Sequence, residues 1–290
     1  MKKTRGISEF AFIPFAAGEK AVRSSDFKSI PLDSKSPTTP ELHFPSTDDF
    51  EEQSFNAPSP RKDVKVLITL PGWLGATNPA EADSNEPFSC IRPGVHGDQF
   101  SLLFESTLLQ EIGASTTLLN YYTDPLVRRL KGKRGGTAFV HLAQGPLWTH
   151  RLSYLLDKPW SIALERAKAA GYLLADAIES RAQGPRPCTL VGFSLGARVA
   201  YYCCLELAAR GPSCQGLVEN VILCGAPVMG TPDEWEALGC VVMGRVVNAH
   251  LSNDSLLGLL FRKQMDQWDH VLGLAPVSSP WVHNVALEGV

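Results

Sequence analysis

TLVGFSLGARVA, residues 189–200, contains the pattern G-x-S-x-G at 192–196, with Ser194 at its centre. The apolar run LVGF precedes the serine, and apolar residues at helical spacing continue from Leu195 to Arg210. This pattern predicts a strand that turns sharply into a helix at Ser194. A hydroxyl group at such a turn is exposed above the sheet, which is where a nucleophile would be placed.

Two glycines flank the serine, and their spacing has a steric explanation. At a tight turn the serine backbone is strained, and a side chain at Gly192 or Gly196 would collide with neighbouring elements. The same glycines would also suit a strand–helix turn without any chemistry. Ser194 is therefore a candidate nucleophile that needs a base and an oxyanion site to support it.

Along the rest of the chain, apolar segments of strand length alternate with segments of helical periodicity. The predicted strands are VKVLITL (64–70), ASTTLLNY (114–121), CTLVGF (188–193), NVILCGAPV (220–228), RVVNAHL (245–251) and VHNVAL (282–287). The predicted helices span 99–112, 160–180, 195–210, 232–238 and 255–263, the second beginning after Pro159. Such alternation predicts an α/β fold with a mostly parallel sheet and helices on both faces.

The composition is that of a protein with a buried core and no strongly basic surface. The 290-residue chain is 44% hydrophobic and carries a formal net charge of −3. A short basic cluster, Lys131, Lys133 and Arg134, lies among glycines and is interpreted as a solvated loop. We therefore do not expect nucleic acid as a partner.

The cysteines indicate a reducing environment. The chain has seven, an odd number, without a C-x-x-C pair or a zinc-type spacing to histidines. They are Cys90, Cys188, Cys203, Cys204, Cys214, Cys224 and Cys240. Several lie in apolar runs, where a reduced cysteine packs as a small hydrophobe. We expect an intracellular location on the cytoplasmic side, and no metal or organic cofactor.

The first part of the chain differs in composition from the rest. Residues 1–62 are rich in Ser, Pro, Asp, Lys and Thr, which predicts an irregular, largely disordered arm before an α/β domain over 63–290. Within the arm, AFIPFAA (11–17) is a candidate docking patch or a remnant of a larger protein. No apolar run matches a secretory signal or a spanning helix, so the chain by itself is expected to be soluble.

An oxyanion site requires backbone donors beside the nucleophile. The N–H of Leu195 is one candidate, because it lies at the start of the helix that follows Ser194. The second donor is expected in the loop PGWLG (71–75), where Gly72 lets the backbone approach a substrate. Trp73 is the first choice for this donor and Leu74 the second, although Trp73 could equally serve only in packing.

A triad also needs an acid after a later strand. Asp254 follows the strand RVVNAHL and precedes the next predicted helix, between the nucleophile and the end of the chain. Its position favours the role of triad acid, although an aspartate there could simply cap the helix. Asp233, after the preceding strand, is the fallback.

The histidine is the least well supported member of the triad. It is expected on a loop after the last strand, and only Glu288, Gly289 and Val290 follow VHNVAL. His283 is the candidate within the chain, but it lies inside the strand pattern, and the expected position of the base is beyond Val290. The remaining histidines precede that strand; they are His43, His96, His141, His150, His250 and His270.

From about Val64 onward, the chain resembles the DUF726 family of α/β hydrolases. The stretches that carry the resemblance are ITLPGWLG (68–75), LLDKPWSIALERAKAAGYLLADAI (155–178), TLVGFSLGARVAYYCCLELA (189–208), VENVILCGAPV (218–228) and RVVNAHLSNDSLLGLLFR (245–262). The resemblance as a whole, from about Val64 to the end, covers roughly four-fifths of the chain. Their order along the chain makes them far more specific than G-x-S-x-G alone.

The resemblance implies an α/β-hydrolase fold and a catalytic triad, with Ser194 as nucleophile and Asp254 as acid. In the family, the histidine comes in an S-G-H-like segment after a V-E-N-V-D-like strand. WVHNVALEGV matches that strand, with His283 where the family has glutamate, and the S-G-H-like segment does not follow. The last strand–helix unit is therefore expected to be truncated. The family also usually carries membrane-spanning helices upstream.

Two functions of different classes follow from these observations. The first is an esterase or lipase that attacks an acyl ester or lipid through Ser194, with membrane association through parts outside this chain. The second is a non-catalytic interaction protein on the same scaffold, for example in membrane trafficking, which would not need a histidine. Acyl transfer from Ser194 to an acceptor other than water is a third alternative.

Overall fold

The computed structural model describes residues 7–14, 65–74, 86–92, 97–115, 149–182, 184–261 and 271–287. The strands are β1 (Phe10–Pro14), β2 (Val66–Leu70), β3 (Asp98–Phe104), β4 (Cys188–Phe193), β5 (Val218–Cys224), β6 (Val246–His250) and β7 (Val282–Ala286). The helices are α1 (106–115), α2 (Thr149–Glu179), α3 (Leu195–Arg210), α4 (Pro232–Val241) and α5 (Ser255–Leu260).

The strands form one sheet in the order β1-β3-β2-β4-β5-β6-β7. β1 runs antiparallel to β3, and every other neighbouring pair is parallel. The predicted α/β fold with a mostly parallel sheet is therefore confirmed. Because β2 and β4 are parallel neighbours, the loops that follow Leu70 and Phe193 leave the sheet at the same edge.

Helix α3 lies at the centre of the helical layer. It packs against α2, α4 and strand β4, and it buries an apolar stripe that includes Val199, Cys203 and Leu207. Helix α2 approaches it closely at Gly171, where an added Cβ would lie only 2.8 Å from the carbonyl oxygen of Val199. The helix that begins directly after Ser194 is thus held on both sides by packed elements.

One predicted helix is wrong in its first half. The segment 99–112 forms strand β3 followed by α1. Phe100, Leu102 and Phe104 recur at every second residue, and this strand period determines the structure up to Phe104. The predicted strand at 114–121 is also wrong at residues 114 and 115, which belong to α1, while its remaining residues lie outside the described ones.

Helix α2 is longer than the sequence pattern indicates. It begins at Thr149, so that Pro159 lies inside the helix and not just before it. A proline in a helix interior removes one backbone donor and usually bends the helix, which is why it was interpreted as a start signal. The packing of the following alanine-rich segment on α3 outweighs this local cost.

The predicted irregular arm contributes a strand to the sheet. Strand β1 (Phe10–Pro14) includes the first four residues of the candidate docking patch, 11–14, and pairs with β3 at the edge of the sheet. Two reciprocal contacts secure its start: the backbone N–H and the hydroxyl of Ser8 donate to Glu105, and the N–H and the hydroxyl of Ser106 donate to Glu9. The sequence contains no alternation strong enough to reveal this strand, and residues 15–64 lie outside the described ones.

Candidate active site

Ser194 sits at a strained turn between β4 and α3. Its φ is 52° and its ψ is −117°, a combination that a residue other than glycine rarely adopts. Such a conformation costs about 1–3 kcal/mol and persists only where the surrounding structure enforces it. Here the Ser194 N–H donates to the carbonyl oxygen of Cys224 at 2.8 Å, and its side chain makes no capping bond to α3. The hydroxyl is therefore not used to terminate the helix.

The two flanking glycines are required by close contacts. A Cβ at Gly196 would lie 1.8 Å from the carbonyl oxygen of Leu70, and one at Gly192 would lie 2.4 Å from the Cα of Ala197. Both contacts are with backbone atoms, which cannot move aside without shifting β2 or α3. The predicted steric reason for the G-x-S-x-G spacing is present at both positions.

The loop after β2 lies directly against this turn. A Cβ at Gly72 would be 2.2 Å from the carbonyl oxygen of Phe193 and 3.0 Å from the backbone nitrogen of Leu195. The Trp73 ring contacts the Phe193 ring edge-on, with their centres 5.0 Å apart. The loop in which an oxyanion donor is expected thus lies against the candidate nucleophile, Ser194.

The backbone donors in this loop are not equivalent. The Leu74 N–H donates to the carbonyl oxygen of Leu109 at 3.3 Å, so the second choice for an oxyanion donor is already occupied. No residue in the described part of the chain accepts from the Trp73 N–H. The Leu195 N–H opens α3 and, like the first amides of any helix, has no acceptor within the helix. Trp73 and Leu195 therefore present the amides that a ligand could use.

Asp254 lies at the same edge of the sheet, just after β6. One carboxylate oxygen, Oδ1, accepts from the N–H groups of Leu256 at 3.1 Å and Leu257 at 2.9 Å, so Asp254 caps α5. Burial raises the pKa of the Asp254 carboxyl, and these two hydrogen bonds oppose that rise. The capping role that the sequence left open is therefore real, and it occupies only one of the two oxygens.

A single small pocket joins these groups. Ser194, Gly225 and Asp254 line it together, and its apolar wall consists of Trp73, Phe193 and three leucines of α5, namely Leu256, Leu257 and Leu260. The sequence analysis did not assign these leucines to the site, although they follow Asp254 directly and repeat at helical spacing. The nucleophile candidate and the acid candidate thus face one apolar cavity.

His283 is not part of this pocket. It is exposed on β7, where it pairs in register with Val247 on β6. Val247 pairs in turn with Ile222 on β5, and Ile222 pairs with Val191 on β4. Three inter-strand steps of about 4.8 Å separate β7 from β4, far more than an imidazole can span. The structure therefore corrects the assignment of His283 as a triad member, because the strand holds it away from Ser194.

The other described histidine lies closer but does not line the pocket. His250 ends β6 at the level of Ser194, since Phe193, Cys224 and Ala249 are in register across the sheet. It is buried, and within the described segments its Nδ1 has no hydrogen-bond partner. The positions of His43, His96, His141 and His270 and the side chain of His150 lie outside the described residues.

The fallback acid is also away from the pocket. Asp233 is exposed in the first turn of α4. Among the described residues, no group of three or more His, Cys, Asp or Glu side chains could hold a metal ion.

Comparison with known proteins places the chain in a family. The family model described as "Protein of unknown function (DUF726)" matches residues 36–290. The chain belongs to the DUF726 family. Three of its relatives in this family range from yeasts to a plant, which means that the domain is shared by distant eukaryotes.

The DUF726 relatives are much longer than this chain. Probable lipase MIL1 of Saccharomyces cerevisiae is 36% identical over 74% of the chain and 20% of its own length. An uncharacterized membrane protein of Schizosaccharomyces pombe is 38% identical over 77% of the chain and 28% of its own length. Transmembrane and coiled-coil domain-containing protein STS1 of rice is 36% identical over 65% of the chain and 28% of its own length.

Two of these DUF726 relatives are named for the membrane. In the part of this chain that the structure describes, no helix is both long enough and apolar enough to cross a bilayer.

Proposed function

We propose that the chain is a serine hydrolase of the esterase or lipase type, with Ser194 as its nucleophile. The observation that carries this proposal is the strained backbone of Ser194 at the head of α3, in one pocket with a carboxylate. A structure that enforces such strain on a serine, without using its hydroxyl as a cap, is best explained by chemistry at that hydroxyl.

In this reaction the Ser194 oxygen attacks the carbonyl carbon of an acyl ester. Its proton passes to an imidazole base, and the developing oxyanion accepts hydrogen bonds from the N–H groups of Leu195 and Trp73. Gly72 allows the backbone to come that close. The tetrahedral intermediate then expels the alcohol, which takes the proton from the imidazolium, and water hydrolyses the acyl-serine in a second, equivalent cycle.

Asp254 would orient the base and stabilise its charged form. Its Oδ1 is bound by the α5 backbone, which fixes the carboxylate and leaves Oδ2 to accept from an imidazole N–H. Since neither His250 nor His283 lines the pocket, we assign the base to an imidazole outside the described residues.

The substrate class follows from the wall of the pocket. Trp73, Phe193 and the leucines of α5 offer an apolar surface that suits an acyl chain. The name of one relative as a probable lipase, and of others as membrane proteins, supports a lipid ester as substrate and association with a membrane.

A non-catalytic interaction protein is the second candidate. The observation that favours it is the absence of both described histidines, His250 and His283, from the pocket. On this alternative the strained serine would be a remnant of an ancestral enzyme, and the domain would act through a partner in membrane trafficking.

A fluorophosphonate probe separates the two candidates, because it reacts only with an activated serine. We expect the probe to label the full chain, and Ser194→Ala to abolish labelling. Ser213→Ala is the matched control, since this serine is exposed just beyond the far end of α3. Hydrolysis of p-nitrophenyl butyrate should follow the same pattern. A folded chain that the probe does not label would support the non-catalytic alternative.

A further inference from the structure

Arg198 lies one helical turn after Ser194 and ties three elements together. Its backbone N–H donates to the Ser194 carbonyl oxygen at 3.2 Å. Its guanidinium donates from Nε to the carbonyl oxygen of Leu164 in α2, at 3.0 Å, and from Nη1 to that of Pro227 in the loop after β5, at 2.9 Å. The Arg198 side chain therefore links α3, the helix that follows Ser194, to α2 and to the loop after β5, which lies at the same end of the sheet as the pocket.

An aromatic ring lies against this guanidinium. The Cζ of Arg198 lies 4.8 Å from the centre of the Tyr202 ring, one turn further along α3. Burial lowers the pKa of Arg198, with the Tyr202 hydroxyl the largest opposing influence. An arginine remains charged at neutral pH despite such a shift. The chain thus keeps a charged group in a largely buried place, which is costly unless its geometry is needed.

The loop held by Arg198 leads to the acid. Ala226 and Val228, on either side of Pro227, accept hydrogen bonds from Gly273 and Leu272 at 3.0 and 2.9 Å. Gly273 in turn accepts from the N–H of Leu251, which follows β6 directly, at 3.0 Å.

The same segment also touches the helix that Asp254 caps. A Cβ at Gly273 would lie 2.5 Å from a methyl group of Leu257, one of the two residues whose N–H groups bind the Asp254 carboxylate. A continuous series of contacts therefore runs from Arg198, through the loop after β5 and the segment at 271–275, to the loop that carries Asp254.

We propose that Arg198 is a positioning residue that sets where the loops carrying Gly225 and Asp254 stand relative to Ser194. It touches no substrate in this role and acts through the carbonyl group of Pro227. For its effect on activity the inference rests on the proposed serine hydrolase function, but its effect on the loops does not.

The proposed role requires the guanidinium group of arginine and not merely a positive charge, so the test replaces Arg198 by lysine and by glutamine. A lysine has a single ammonium group and cannot donate to both carbonyl groups from one fixed plane. Arg198→Lys and Arg198→Gln should both release the loop. Arg210→Lys is the matched control, because Arg210 lies on the same helix in a cluster of ion pairs with Asp176, Glu179 and Glu206, far from the pocket.

The first measurement is hydrogen exchange on the full chain. In both Arg198 variants, the amides of residues 225–230 and 271–275 should exchange about tenfold faster or more, while those of β4 stay protected. The second is the rate of fluorophosphonate labelling at Ser194, which should fall about 10- to 100-fold, since a shift of about 1 Å at a site has effects of that size. Arg210→Lys should change neither quantity.

Several results would overturn the proposal. Unchanged exchange at 225–230 and 271–275 in folded Arg198→Lys would do so, as would labelling at the wild-type rate. If Arg210→Lys lost as much amide protection and labelling rate as the Arg198 variants, the effect would reflect a general loss of stability and not positioning by Arg198. If the wild-type chain is not labelled at all, the serine hydrolase proposal fails, and the exchange measurement still decides whether Arg198 positions these loops.

Discussion

The backbone of Gly72 lies so close to Ser194 that a Cβ added at Gly72 would be 2.5 Å from the Cβ of the serine. The two neighbouring strands β2 and β4 thus end in segments that are in direct contact. That contact brings the loop after β2, which continues into Trp73, against the turn between Ser194 and Leu195. The geometry of the site therefore requires a residue without a side chain at position 72.

Gly72→Ala should impair the site more than the fold. The new methyl group would collide with the Phe193 carbonyl oxygen and with Ser194, so the loop after β2 must move away. We expect a loss of about 1–3 kcal/mol in the free energy of unfolding, typical of overpacking. Because the Trp73 amide moves with the loop, labelling by fluorophosphonate should fall by about 100-fold or more. Unimpaired labelling in this variant would contradict the placement of the oxyanion donors.

Substitutions at Asp254 can separate its two roles. Asn still offers an oxygen to the N–H groups of Leu256 and Leu257, so Asp254→Asn should keep α5 capped. It cannot stabilise a charged imidazole, and the rate of ester hydrolysis should fall about 10⁴-fold. Asp254→Ala should lose the same activity and, in addition, about 0.5–2 kcal/mol of stability through the cap. Thermal unfolding and p-nitrophenyl butyrate hydrolysis measure the two effects; full activity in Asp254→Asn would leave only the capping role.

The pH dependence of stability should also report on Asp254. Burial raises the pKa of this carboxyl, so the folded state binds its proton more tightly than the unfolded state does. The contribution of Asp254 therefore favours folding at acid pH and is lost as the pH rises from the ordinary aspartate value to the raised one. Asp254→Asn has no titrating group at this position, so its melting temperature relative to the wild type should rise as the pH increases above the ordinary pKa of an aspartate, about 3.9. A difference between the two proteins that does not change with pH would contradict this expectation.

The sharp turn from strand β4 into helix α3 at Ser194 was predictable from the sequence because its signals are local. The strand Cys188–Phe193 and the helix Leu195–Arg210 have the predicted bounds, since an apolar run, two glycines and a helical period follow one another without interruption. The location of Asp254 near Ser194 was also predictable, from its place after an apolar strand. The loop PGWLG was placed beside the serine because neighbouring parallel strands end at one edge.

The remaining features depend on contacts that are distant in sequence. Strand β1 forms because residues near position 10 meet residues near 104, a pairing that no local pattern contains. The Asp254 pocket includes three leucines whose spacing is equally that of an ordinary buried helix. Arg198 looks like any polar residue of a helix until its two acceptors, from α2 and the loop after β5, are known. His283 was considered because of its residue type, and the register of β7 places it elsewhere.

The attachment of β1 gives a prediction that is independent of any catalysis. Ser8 and Ser106 each donate twice to a glutamate on the opposite segment, Glu105 and Glu9 respectively, and the contacts are partly buried. Removing either carboxylate leaves two donors without their acceptor, at a cost of about 1–3 kcal/mol. In Glu9→Ala and Glu105→Ala, the amides of residues 8–13 should therefore exchange faster.

The matched control for the Ser8–Glu105 and Ser106–Glu9 contacts is Glu111→Ala, which removes an exposed carboxylate from α1. It should leave amide exchange at residues 8–13 unchanged. Because β1 and β4 are separated by β3 and β2, labelling of Ser194 should remain at the wild-type rate in all three variants. If Glu9→Ala and Glu105→Ala left β1 as protected as in the wild type, the edge strand would be held by its ladder to β3 alone.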